Sequence, residues 1–115
     1  MTNAPRQRLP DRRPSVTLPL RHEGFTCQLT VGFYPDGRVG EVFVSGLKSG
    51  SNLDALVADA AVLISRLLQH GVEPSDLAGS MGRQGDARAA SLIGAVVDQL
   101  TRPGALDQRK AGGTP

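Results

Sequence analysis

The chain is predicted to be an α+β domain: an antiparallel β-hairpin or three-stranded sheet packed by two main helices and one short helix. Three observations predict it. Residues 26–34 alternate apolar and polar side chains with a period of two. Residues 53–70 repeat leucines and alanines at helical spacing and stop at a glycine. Residues 90–101 repeat the helical pattern and stop before a proline.

The elements follow in order. Residues 1–14 combine three prolines with four arginines and are expected to be an extended, mobile, basic arm. In "VTLPL", residues 16–20, the β-branched and leucine residues suit a short strand. Pro19 cannot donate to a ladder, so this is an edge strand. In "TCQLTVGFY" the apolar set is Cys27, Leu29, Val31 and Phe33, which gives one buried and one wetter face. "PDG" at 35–37 is a turn, and "EVFVS", residues 41–45, is the returning strand.

The main helix, 53–70, carries Leu53, Leu56, Val57, Ala60, Leu63, Ile64, Leu67 and Leu68, with Ala58 and Val62 widening the apolar surface. A helix that apolar packs against more than one element. A homodimer is one expected consequence. Gly71 ends the helix where a left-handed residue is needed. Pro74 opens a short helix at 73–81. Leu92, Ile93, Val96, Val97 and Leu100 share one face of the third helix, which ends before Pro103. Gly94 inside that helix implies close packing against another element. The tail, 102–115, is expected to be disordered. No internal repeat and no heptad series is evident.

Composition narrows the function classes. The chain has 115 residues, enough for one small domain, and its apolar content of 39% with only 3% aromatics calls for an aliphatic core. So few rings exclude a broad stacking platform for single-stranded nucleic acid. The basic charge sits at the ends. Residues 1–14 carry a net +3 and residues 102–115 a net +2, against −3 for the stretch between. Basic tails can touch nucleic acid by electrostatic steering, which gives one functional alternative, a small nucleic-acid-associated protein. The single cysteine, Cys27, allows no intrachain disulfide and suits a reducing cytoplasm. The N-terminus lacks the apolar core of a secretory signal, and no stretch is long and apolar enough to span a membrane.

The stretch that most invites a chemical reading is "GLKSGS" before the main helix. Lys48, Ser49, Gly50 and Ser51, together with the unpaired N–H groups of the following helix, favour an anion. The order differs from the phosphate-loop pattern, because the lysine precedes the second glycine. Ser51 and Asp54 also fit a capping box, which gives the loop a structural reason to exist. His22, on a loop, and His70, at a helix end, lack the partners of a metal site. Cys27 alternates inward and is a core residue. Glu41 and Asp98 are expected to be solvated. No nucleophile, base and orienting group come together as a catalytic set, and no cofactor is expected.

The run "GEVFVSGLKSGSNLDALVADAAVLISRLLQHGVEPSDLAGSM" resembles the TSCPD domain, which occurs at the C-terminal end of adenosylcobalamin-dependent ribonucleotide reductases and as small stand-alone proteins. The similar parts are "EVFV" at 41–44, "KSGS" at 48–51, "LLQHGV" at 67–72 and "EPSDL" at 73–77, with "ASLIGAVVDQL" as the closing helix. The resemblance covers roughly residues 16–101. Where the family has its name-giving "SCPD" run, this chain has "DARAASLIG". The resemblance implies a non-catalytic accessory or regulatory module that binds a reductase or a phosphorylated nucleotide. It does not bring the reductase active site, which belongs to a large barrel with several cysteines.

Overall fold

The period-two residues Cys27, Leu29, Val31 and Phe33 lie in the central strand of a three-stranded antiparallel sheet, and all four are buried. The computed structural model describes residues 5–47 and 52–102. The sheet order is β1 (Ser15–His22), β2 (Phe25–Phe33), β3 (Val39–Ser45). Three helices follow: α1 (Leu53–Gln69), α2 (Pro74–Ser80) and α3 (Leu92–Leu100). The α+β arrangement is the one the sequence predicts, with three strands rather than two. The expected tail beyond residue 102 lies outside the described residues.

β1 is an edge strand, as Pro19 requires, but it is longer than "VTLPL" and runs to His22. Its inward row continues through Val16, Leu18, Leu20 and His22, so His22 belongs to a strand rather than a loop. The β2–β3 connection is five residues, 34–38, drawn tight by the Tyr34 N–H donating to the Arg38 carbonyl at 2.9 Å. Gly37 adopts φ +93° and donates to the Tyr34 carbonyl, while the Asp36 carboxylate accepts from the Arg38 N–H at 3.0 Å. A turn followed by a left-handed glycine matches the twist of the two strands.

The helices cover one face of the sheet. α1 lies chiefly against β3, and α2 against α3. The core joins Leu29, Val31 and Val42 of the sheet to Val57, Ala61, Ile64 and Leu68 of α1 and to Val96, Val97 and Leu100 of α3. Burial of each larger aliphatic side chain contributes about 1.5–3 kcal/mol. α1 ends in a paired cap: Val72 N–H reaches the Leu67 carbonyl at 3.1 Å, and Gly71 N–H, at φ +90°, reaches Leu68 at 3.0 Å. This is the Schellman arrangement expected of a glycine just past the helix.

Three expectations change. Asn52, not Ser51, occupies the position before α1, and its side chain makes no capping bond. Gly94 packs mainly against the segment leading into its own helix, where an added Cβ would stand 3.2 Å from Ala89 Cβ and 3.4 Å from Ser91 Oγ; the other element it meets is the end of α2, with Met81 Cβ at 3.8 Å, rather than the main helix. Glu41 is buried, because its side chain lies across Gly32 of the neighbouring strand and pairs with Arg13.

Residues 6–13 form no regular element yet bond to the domain at several points. Arg6 Nε donates to Gln69 Oε1 at 2.7 Å, and Gln7 N–H donates to the Gln69 carbonyl at 2.7 Å. The buried Tyr34 hydroxyl donates to the Gln7 carbonyl. Arg13 Nη2 donates to Glu41 Oε1 at 3.1 Å. The expectation of a mobile arm contained no reason for these contacts.

Candidate functional site

Lys48, Ser49, Gly50 and Ser51, the anion-binding residues suggested by the sequence, lie outside the described residues. The described part of the chain places polar and charged groups together elsewhere. A groove of about 310 Å³ opens between the end of β1, the 86–89 loop and α3. Arg21 and His22 line it from the strand, Asp86 and Arg88 from the loop, and Asp98, Gln99 and Arg102 from the helix and its end.

Each element reaches this place for a local reason. α3 starts at a true cap: Ser91 Oγ accepts from the Gly94 N–H at 3.0 Å. Gln99 is three residues from Val96 and seven from Leu92, so it lies beside the buried row of α3. The 82–91 segment is pinned at both ends. Arg83 bridges to Ala89 along the backbone, and its guanidinium donates to both carboxylate oxygens of Asp98, at 2.6 and 2.7 Å, and to the Ala78 carbonyl at 2.9 Å. Gln84 Nε2 donates to Glu23 Oε1 at 3.0 Å, tying the loop to the β1–β2 turn. Ala87, at φ +70°, makes the loop's tight turn in a conformation alanine rarely adopts.

Charge and hydrogen bonding in the groove are uneven. Hydrogen bonds from Arg83 hold the Asp98 carboxyl below its ordinary range. The Arg88 backbone N–H, first among several causes, does the same for the exposed Asp86, which also pairs with the Arg88 side chain at 2.8 Å. Asp98 is thus engaged rather than solvated, a correction to the sequence expectation. Two polar atoms are left over. His22 Nε2 and Gln99 Oε1 are both closed off from water, and neither has a hydrogen-bond partner among the described residues. A buried polar atom without a partner costs on the order of 1–3 kcal/mol, so two on one groove call for an explanation. Reading the sequence missed Gln99, Arg21 and Arg102. The signal was present in the helical offset of Gln99 and in the continuation of the inward row from Leu20 to His22.

The other chemically suggestive residues are brought to no common centre. Cys27 is buried, and burial pushes its thiol pKa up, away from a reactive thiolate. Among the described residues no group of three or more His, Cys, Asp or Glu is placed to hold a metal ion. Among them, too, no helix is long and apolar enough to cross a membrane. Of the four arginines in the first fourteen residues, Arg6 and Arg13 are engaged by Gln69 and Glu41.

The TSCPD domain model matches residues 5–103, which takes in every described residue. The chain belongs to the TSCPD domain family. Among curated proteins, the TSCPD chain is 41% identical over 70 residues to a vitamin B12-dependent ribonucleotide reductase of Rhodopirellula baltica; the match covers 58% of this chain and 6% of that protein. Reductases of the same description from Bradyrhizobium diazoefficiens and Agrobacterium fabrum are each 37% identical over 67 residues, covering 58% of this chain and 5% of theirs. This TSCPD chain therefore corresponds to a small fraction of the reductases it matches. No solved structure matches it.

Proposed function

We propose that this TSCPD domain is a non-catalytic accessory module of ribonucleotide reduction that binds a phosphorylated nucleotide in the groove between β1 and α3. The observation that carries the reading is the pair of unpartnered buried atoms, His22 Nε2 and Gln99 Oε1, on a groove also lined by Arg21 and Arg102. A nucleobase presents donors and acceptors on one edge, which suits an imidazole nitrogen and an amide oxygen once rotation of the His22 and Gln99 side chains turns these buried atoms into the groove. A phosphate suits guanidinium groups, and neither Arg21 nor Arg102 is in an ion pair among the described residues. The relation to ribonucleotide reductases makes nucleotides the ligand class to try first.

The test is a titration of the full chain with nucleoside mono-, di- and triphosphates, followed by backbone amide shifts. Movement of residues 20–22, 86–89 and 98–102, lost in His22→Ala, supports the reading. Movement confined to 46–54 transfers the ligand to the "GLKSGS" loop. No movement at millimolar nucleotide overturns nucleotide binding and leaves contact with a reductase as the accessory role. The alternative, nucleic-acid binding through the basic arm, has only Arg8 and Arg12 left uncommitted among the arm's arginines. It predicts a strongly salt-dependent affinity for DNA that disappears on deletion of residues 1–14.

A further inference from the structure

α1 carries two apolar seams, and the sheet uses one. Val57, Ala61, Ile64 and Leu68 are buried. Leu56, Leu63 and Leu67 are 59%, 65% and 42% exposed, with the half-buried Ala60 between them. Residues 56, 60, 63 and 67 follow the 4-3-4 spacing of a coiled-coil seam. The run is under two heptads long, too short to register as a heptad series in the sequence. On a free helix such leucines would cost solubility, so this face asks for a cover.

The charges beside the seam say which cover fits. Asp59 and Arg66 immediately precede Ala60 and Leu67, so both flank the seam on the same side, seven residues apart. Neither is in an ion pair among the described residues. Arg66 instead shares the groove between β3 and α1 with a second arginine, Arg6, and with Glu41, whose carboxylate is already paired with Arg13. The opposite flank of the seam is formed by Val57 and Ile64, which are buried in the domain's own core.

These facts discriminate between orientations. In a parallel pair of identical helices, each flank meets the opposite flank of the partner. Asp59 would then face a position occupied by the partner's own core. In an antiparallel pair related by a two-fold axis, each flank meets its own kind. With Ala60 set against the partner's Leu63, Asp59 lies across from the partner's Arg66, and the partner's Asp59 lies across from Arg66. The symmetric arrangement makes two opposite-charge pairs at once, and flanking charges of this kind set partner and orientation in coiled coils.

We propose that the outer face of α1 is a self-association surface, covered in solution by α1 of a second copy in antiparallel orientation, with Leu56, Ala60, Leu63 and Leu67 as the seam and Asp59–Arg66 as the reciprocal ion pairs. The proposal stands independently of the nucleotide groove, which lies at the other end of the sheet order, against β1.

Sedimentation velocity of the full chain across the micromolar range tests it. The wild type is expected to be a dimer at high micromolar concentration. Leu63→Glu is expected to be a monomer with an unchanged far-UV spectrum, since the residue is largely exposed. Asp59→Arg places like charges across the interface and is expected to weaken dimerisation by about tenfold or more. The double exchange Asp59→Arg with Arg66→Asp restores the opposite-charge pairs and is expected to recover most of the loss. A monomeric wild type overturns the proposal, as does a dimer that survives Leu63→Glu. A double exchange no tighter than Asp59→Arg alone overturns the antiparallel pairing.

Discussion

Ser65 of α1 sits against both backbone polar groups of Val42 in β3 and accepts from its N–H. The Val42 N–H donates to Ser65 Oγ at 2.9 Å; the hydroxyl stands 3.2 Å from the Val42 carbonyl and 2.8 Å from the Ala61 carbonyl, and its one proton serves one of these at a time. Four residues on, Gln69 Nε2 donates to the Gly40 carbonyl at 3.0 Å. Two polar side chains on one face of α1 thus take up backbone groups that an edge strand leaves open. Ser65→Ala is expected to destabilise the domain by about 1–3 kcal/mol, because the Val42 N–H loses its acceptor beneath the helix. Ser65→Thr, which keeps the hydroxyl, is expected to lose less. Urea denaturation of both variants checks this.

The Arg83–Asp98 pair makes the domain acid-sensitive in a predictable sense. The Asp98 carboxyl is held below its ordinary range, first by hydrogen bonds from Arg83. The stability it contributes is therefore fully present above the ordinary carboxylate value, near 3.9, and is lost as pH falls from there through its lower folded value. Asp98→Asn is expected to cost about 1 kcal/mol at pH 7, since the pair is only partly shielded from water, and to flatten the acid side of the stability curve. Denaturation measured from pH 7 down to about pH 2 in both proteins checks the sign. An unchanged acid slope in the variant counts against this account.

Cys27 sits in the middle strand with its side chain in the core, where burial raises its pKa. A thiol-specific reagent is expected to label it slowly in the native chain and rapidly in denaturant. Cys27→Ser is expected to cost about 1–3 kcal/mol, as it buries a hydroxyl in an apolar site. Rapid native labelling at neutral pH would contradict the placement.

Local pattern carried most of the fold. The alternation through Cys27, Leu29, Val31 and Phe33 named the buried face of β2, and Gly71 named the end of α1. The pattern could not say which of the two leucine stripes of α1 meets the sheet, because both are apolar. That choice depends on the polar Ser65 and Gln69, which have to face the edge of β3. Glu41 and Asp98 were misread for a related reason. Their partners, Arg13 and Arg83, are 28 and 15 residues away, beyond the reach of any local rule. The groove was illegible for the same cause at larger scale: it needs the end of β1, the 86–89 loop and α3 brought together, and none of these segments carries a recognisable motif.

The sealed side of β3 has a consequence for how this domain can meet other proteins. With the Gly40 carbonyl and the Val42 N–H held by α1, and with Pro19 lacking a donor on the far side at β1, each margin is missing part of the row of donors and acceptors that β-augmentation requires. A guest peptide adding as a fourth strand would meet an interrupted ladder on either margin.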